Sequence, residues 1–395
     1  MHLLLASVSA ATSPSGVCRH AANMVRGMLA NPSVRKVTML TGVWQTSYFR
    51  NAFGLKDLEG DRFELRPVSV ANRPAVRNLW FLRGLPAVAR ACRADIVHLA
   101  FPMPLLRSAY AAPVVVSLHD LYPFDIPQNF GKHRARLNRA ALKLCLKNVD
   151  AIACVSETTR ARLRQLFPLR GLQKASVVPN SVWLSNDPVE LSLPEAIQGN
   201  PFLLCVAQHR ANKNLPLLLH AFRQSLDGNI VPPESKLVIV GNEGPETQLV
   251  HRTAAKYTLE DRVVFLRDIP DALLAALYTR CELVVAPSLL EGFGLPVAEA
   301  LAAGCRVVCS DIPEFRITGT SSCVFFDPAD SSGEALVAAL QKALKAPRSK
   351  VISSTGLDPQ QAAAMYLTLY SKLMLPNRIN HFKPSQADLP VSGDL

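Results

Sequence analysis

The segment Pro287-Ser288-Leu289-Leu290-Glu291-Gly292-Phe293-Gly294-Leu295-Pro296-Val297-Ala298-Glu299-Ala300 follows the apolar run Leu283–Ala286, which has the length and composition of a buried strand. Gly292 and Gly294 let a tight loop bring its backbone close to a ligand. Pro296 suits the start of a helix. That helix is expected to run through Glu299-Ala300-Leu301-Ala302-Ala303 and to stop at Gly304. The N–H groups of Phe293, Gly294 and Leu295 then stand free at a helix N-terminus, an end that favours phosphate or an electron-rich hydroxyl. Glu291 before the loop and Glu299 in the first turn can accept hydrogen bonds from paired hydroxyls. Together these groups suit a sugar, a phosphate and a ribose in one row. The plainer alternative is that Glu299 complements the helix dipole and Glu291 is solvated.

Outward from this unit, short β-rich runs alternate with helical patterns. Strands are expected at His2–Val8, Val37–Leu40, Ile96–Leu99, Val114–Leu118, Ala151–Cys154 and Ser176–Val178. A second series follows at Phe202–Val206, Lys236–Val240, Val263–Leu266, Leu283–Ala286 and Arg306–Cys309. Strand–helix alternation implies parallel sheets covered by helices, and continuous apolar strands imply burial on both faces. The stretch 186–199, with Pro188, Pro194 and Gly199, reads as a linker. The expected units are a domain 1–185, a domain 200–357, a helix 358–376 and a polar tail 377–395. Ligands of open α/β sheets bind at the carboxyl ends of the strands, which here face each other across a cleft.

The segment 287–300 resembles the Glu-(seven residues)-Glu signature of the retaining glycosyltransferases of family 4 (group 1), which have the GT-B fold. Other segments resemble the same family in the same order: His119-Asp120-Leu121, Ser156-Glu157-Thr158-Thr159-Arg160, Val178-Pro179-Asn180, Asn212-Lys213-Asn214-Leu215 and Val240-Gly241-Asn242-Glu243-Gly244-Pro245. The resemblance covers about residues 1–375. It implies two Rossmann-like domains facing across a cleft, with the C-terminal helix packing back on the first.

The resemblance also implies roles. Glu299 would hold the ribose hydroxyls of a nucleotide sugar. Glu291, with Gly292 and the amides of Phe293, Gly294 and Leu295, would grip the transferred sugar. Lys213 would neutralise the diphosphate, with Arg210 as a second cation, because the leaving diphosphate gains charge in the transition state. Gly16 would lie against the diphosphate. Gly241 and Leu266 would border the donor. His119, just after a strand, would contact the donor sugar or the acceptor hydroxyl, and Asp120 would orient its ring or cap the next loop. The chain departs from the pattern in three places. Ala207 and Gln208 stand where many members have glycine and arginine, one glycine replaces two near Gly16, and Arg267 stands where relatives have glycine.

The segment His119-Asp120-Leu121 resembles the His-Asp-Leu of many mannosyltransferase-like members, a resemblance that implies mannose from GDP-mannose. Alternatives are a UDP-sugar donor (glucose, galactose or GlcNAc), a GT-B nucleotide-sugar epimerase, or a non-catalytic glycan-binding module. A Rossmann dehydrogenase is disfavoured, since no Gly-x-Gly-x-x-Gly follows the first strand. There is no Asp-x-Asp and no His/Cys/Asp cluster at metal-ligand spacing, so transfer is expected to need no metal and no cofactor. The nine cysteines are scattered, with no Cys-x-x-Cys, and read as free thiols.

Charge divides the chain. Residues 1–185 hold 25 Lys+Arg against 9 Asp+Glu, and residues 186–395 hold 18 against 22. Lys132, Arg136, Arg139, Lys143 and Lys147 fall on one face of an expected helix, beside an apolar stripe of Leu137, Ala141, Leu144 and Cys145. Two readings stay open, a solvated face and a patch on an anionic membrane. Nucleic acid is disfavoured, because aromatic residues are not interleaved. The family's first domain takes the acceptor, so a glycan or lipid-linked saccharide at the inner face of the cytoplasmic membrane would account for the charge. Localisation is expected to be cytoplasmic, peripheral to that membrane. No run approaches the roughly 18 apolar residues of a membrane-spanning helix.

Overall fold

The computed structural model describes residues 1–168, 174–184, 192–348 and 357–375. The first sheet holds β1 (His2–Ala6), β2 (Lys36–Gly42), β3 (Phe63–Val68), β4 (Ile96–Leu99), β5 (Val114–Leu118), β6 (Ala151–Cys154) and β7 (Ala175–Val177). The second holds β8 (Phe202–Val206), β9 (Lys236–Val240), β10 (Val263–Leu266), β11 (Leu283–Ala286), β12 (Val307–Ser310) and β13 (Val324–Phe326). Their orders are β3-β2-β1-β4-β5-β6-β7 and β10-β9-β8-β11-β12-β13. Every pair is parallel. In each sheet the order reverses at its first strand, β1 or β8. That reversal opens the crevice in which doubly wound folds bind ligands.

Continuous burial follows from continuous apolar sequence. All five residues of β1 are buried, and burying one leucine stabilises by roughly 1.5–3 kcal/mol. His2 is the polar exception, and its ring is satisfied by Cys92 O at 3.1 Å and Thr38 Oγ1 at 3.0 Å. Strands β3 and β13 were not expected from the sequence. β3 reads Phe-Glu-Leu-Arg-Pro-Val and alternates buried with exposed residues. It is an edge strand, where Pro67 needs no ladder partner. β13 is the opposite kind of edge, only three residues long.

Residues 186–191 of the expected linker lie outside the described residues, as does the tail 377–395. The rest of the linker is not loose: Ile197 is fully buried in the second domain's core beside Phe202 and Leu274. The C-terminal helix, Pro359–Met374, starts with a capping box of Asp358 and Gln361. It packs on the first domain, with Ala363, Tyr366 and Tyr370 in that domain's core. Contact is close: a Cβ on Gly27 would lie 1.9 Å from Pro359 O. The outgoing and returning chains also meet, Val182 N–H donating to Leu357 O at 2.9 Å. Tyr366 OH and Tyr370 OH reach Ser117 Oγ (3.1 Å) and His98 Nδ1 (2.7 Å) under the sheet.

Candidate active site

Strand β11 delivers the loop 287–294 to the cleft, and Gly294, at φ 92°, caps the helix Leu295–Ala302. The helix therefore opens its first-turn amides toward the loop. Phe293 is buried at the domain boundary with Val155, Val182 and Ala298. Gly292 lies directly against the first domain. Its carbonyl accepts from Ser156 Oγ at 2.6 Å and Thr159 Oγ1 at 3.3 Å, and a Cβ there would lie 1.9 Å from His119 O. Ser156 is also the N-cap of the helix Glu157–Leu166. One serine thus starts a helix in one domain and holds the glycine loop of the other. Leu290 O accepts from Tyr122 OH (3.3 Å) and Asn212 Nδ2 (3.1 Å), which ties the loop's other side.

Glu291 faces Lys213. Their side chains are 9% and 16% exposed, Nζ lies 2.5 Å from Oε1, and Ser288 Oγ donates to the same oxygen at 2.7 Å. Lys213 ends the turn Ala211–Lys213, and Asn214 at φ 50° turns the chain into the helix Leu215–Asp227. Residues 78 positions apart in sequence are thereby joined. Beside Glu291 opens a cavity of about 440 Å³ lined by Asp120, Tyr122, Phe124, Thr158, Arg162 and Glu314. Burial pushes the Asp120 carboxyl up to about 6. Asp120 caps the following loop, accepting from Tyr122 N–H at 3.1 Å.

Glu299 is only 2% exposed. Tyr278 OH donates to its Oε2 at 2.9 Å. Its Oε1 lies 3.3 Å from Arg19 Nε without the alignment of a hydrogen bond. Arg19 belongs to the first domain's helix Gly16–Ala30, and it also donates to Asp271 Oδ1 at 2.8 Å. Asp271 Oδ2 has no partner. A buried acceptor left unpaired costs about 1–3 kcal/mol. Burial holds both carboxyls above their usual range, against the pull of Arg19.

His119 donates from Nε2 to Ala100 O at 2.8 Å, which leaves Nδ1 as the acceptor nitrogen. Burial pushes its pKa down to about 4, so the ring is neutral at pH 7. The His20 ring meets it edge-on, with centroids 4.7 Å apart. Gly241 directly follows β9, where a Cβ would lie 2.0 Å from Ala207 O, so only glycine fits. Leu266 ends the neighbouring β10. Arg210 is half-buried, with its Nε unpartnered. Arg267 points outward and pairs with Glu243, both about two-thirds exposed.

Several expectations need correction. The first helix begins at Gly16, capped by Ser15. Within the protein, a Cβ on Gly16 would meet only Leu295, at an ordinary 3.8 Å. The basic helix spans Lys132–Asn148 as expected. Its buried face, however, is Ala135, Leu142, Cys145 and Leu146, while Leu137 is 70% exposed. Arg139 is drawn into its own domain, donating to Pro123 O at 2.6 Å and lying over the Phe124 ring. Arg136, Lys143 and Lys147 remain exposed. All nine cysteines are free. Arg19, Asp271 and Tyr278 were missed, because nothing in sequence links positions 252 residues apart.

Two family descriptions match the chain. Residues 14–185 match Glycosyltransferase Family 4, and residues 193–354 match Glycosyl transferases group 1. The chain belongs to this glycosyltransferase family. The O-antigen chain mannosyltransferase B of Escherichia coli is 29% identical over 229 residues, 55% of this chain and 58% of that protein. The O-antigen chain mannosyltransferase RfbU of Salmonella typhimurium is 27% identical over 228 residues, 58% of this chain and 59% of that protein. The matches thus span under two thirds of either relative's length. Among solved structures, the glycosyltransferase WaaG, involved in lipopolysaccharide biosynthesis, superposes with TM-score 0.64 at 18% identity, over 94% of this chain and 98% of that one. This likeness establishes the GT-B fold. Among the described residues no helix is long and apolar enough to cross a membrane.

Proposed function

We propose that this glycosyltransferase moves a hexose, mannose from GDP-mannose, to a glycan or lipid-linked saccharide, with retention and without a metal. The observation that carries the reading is the meeting of Lys213, Glu291 and the helix start at Leu295 in one cleft lined by both domains. In this reading a donor diphosphate draws Lys213 from Glu291, and Arg210 supplies further positive charge. Glu291 is then free to hold the sugar's hydroxyls beside the amides of Phe293, Gly294 and Leu295. His119, neutral and accepting at Nδ1, orients a hydroxyl. Glu299 receives the ribose. The two cations take the part a metal plays elsewhere, stabilising charge on the leaving diphosphate. The mannosyltransferase names of the relatives support the sugar.

A thermal-shift panel tests the donor. GDP-mannose at a hundred times its Kd should stabilise the fold by about 2.7 kcal/mol, a rise on the order of 5 °C, above the response to UDP-sugars. A larger response to a UDP-sugar would reassign the donor. NMR of the product's anomeric proton reads retention directly, and transfer in excess chelator reads metal independence.

The exposed Leu137 beside Arg136, with Lys143 and Lys147 further along the helix, supports docking on an anionic membrane at the cytoplasmic face. At around 1 kcal/mol per basic residue, reversing Arg136, Lys143 and Lys147 should weaken vesicle binding about 100-fold. Arg139 is excluded from that set because it serves its own fold. Wild-type protein that floats free of phosphatidylglycerol vesicles would end the membrane reading.

A further inference from the structure

Among the carboxylates that the donor domain buries are Glu299 and Asp271, at 2% and 8% exposure. Each keeps one oxygen without a hydrogen-bond partner, Oε1 of Glu299 and Oδ2 of Asp271. The group between them comes from the other domain. Arg19 places NH2 2.8 Å from Asp271 Oδ1 and Nε 3.3 Å from Glu299 Oε1. A ring face also steadies that guanidinium, its central carbon lying 5.5 Å from the Phe53 centroid. Asp271 is itself tied across the boundary, its N–H donating to Ala52 O at 3.2 Å. Arg26, the next cation along that helix, lies on the Trp183 ring and donates to Phe53 O; it acts on Asp271 through its charge, while the side-chain contacts of the pair with a guanidinium are Arg19's.

Two buried acceptor oxygens bracketing one guanidinium fit a ligand with two adjacent O–H donors. A vicinal diol satisfies both oxygens without adding charge, while Arg19 continues to balance the carboxylates. We propose that Arg19 and Asp271 complete, with Glu299, a site for the donor's ribose diol, so that the acceptor-side domain takes part in nucleoside recognition. This rests on the reading of Glu299 as the ribose residue and adds two residues to it. Arg19 acts as a positioning residue, holding Asp271 and drawing the domains together. Asp271 touches the diol. Nucleotide affinity then depends on domain closure, because half of the clamp is absent when the domains part.

Calorimetry with GDP and 2′,3′-dideoxy-GDP (or the UDP pair, if UDP binds more tightly) tests this on the full chain. Wild-type protein should prefer the diol-bearing nucleotide at least 10-fold. Asp271→Asn and Arg19→Lys should each lower affinity for GDP several-fold, leave the dideoxy nucleotide nearly unaffected, and so shrink the preference. Arg19→Lys keeps the charge, and Asp271→Asn keeps the shape, so both variants should fold; thermal melts verify this. If both keep the wild-type preference while Glu299→Gln abolishes it, the clamp is structural and the proposal falls, with the ribose reading intact. If Glu299→Gln also keeps the preference, or wild-type protein shows none, the ribose reading fails as well. Tighter GDP binding by Arg19→Lys would mean that the guanidinium occupies the diol's place, and it too overturns the proposal.

Discussion

Lys213→Ala is expected to lower the transfer rate at saturating donor by about 10²–10³-fold, the usual loss when one preorganised transition-state stabiliser is removed. The lysine is poised for that role. It sits in the cleft at the end of a short turn, and it is held 2.5 Å from Glu291 until something more anionic arrives. Removing it also leaves Glu291 buried with the Ser288 hydroxyl still donating to it, but without its cation. Breaking a buried pair from one side costs on the order of 3 kcal/mol, so the variant should melt lower as well. Two effects are thus superimposed, and a second substitution separates them. Glu291→Gln in the Lys213→Ala background removes the stranded charge and should recover the melting temperature. It should not recover the rate. Recovery of both would make the pair a structural ion pair and detach Lys213 from catalysis. A rate within fivefold of wild type for Lys213→Ala would do the same.

Gly292→Ala is the second large effect expected. Its φ is not in the left-handed region, so alanine would not strain the backbone. The obstacle is across the cleft, where the new Cβ would lie 1.9 Å from the carbonyl of His119. Backbone cannot swing aside like a flexible side chain, so the loop or the whole domain must retreat by more than 1 Å. A misplacement of that size costs about 10²-fold in rate. Each domain's own core is untouched, so the melting temperature should stay within about 3 °C, while nucleoside diphosphate binding should weaken to the extent that the domains are held apart. Steady-state transfer assays beside melts and calorimetry measure all three. Full activity in this variant would mean that the docked arrangement of Gly292 on Ser156, Thr159 and His119 is not the working one.

Much of the fold is legible in the amino-acid sequence. Eleven of the thirteen strands were expected, because strands buried on both faces must be continuously apolar, as in His2–Ala6 and Leu283–Ala286. The two that were missed are edges. β3 carries charges on its open side, and β13 is too short to show a pattern. Amphipathic faces were read less well. Leu137 and Arg139 exchange their expected places because Phe124 and the carbonyl of Pro123 offer the arginine a partner, and no helical period encodes a partner on another element.

The site divides along the same physical line. The loop 287–300 carries its own geometry: glycines where the chain must turn or be approached, a proline in the helix's first turn, and carboxylates at a spacing that local structure sets. Residue order along the chain therefore determined the fold class, the helix start and the positions of Glu291 and Glu299. It could not show what those carboxylates face. Lys213 against Glu291, Ser156 against Gly292, and Arg19 between Asp271 and Glu299 are pairings across 78, 136 and 252 residues. Folding and the closing of one domain on the other created them. A side chain's charge is written in sequence; whether that charge is buried, balanced or left waiting for a ligand depends on what the rest of the chain brings to it.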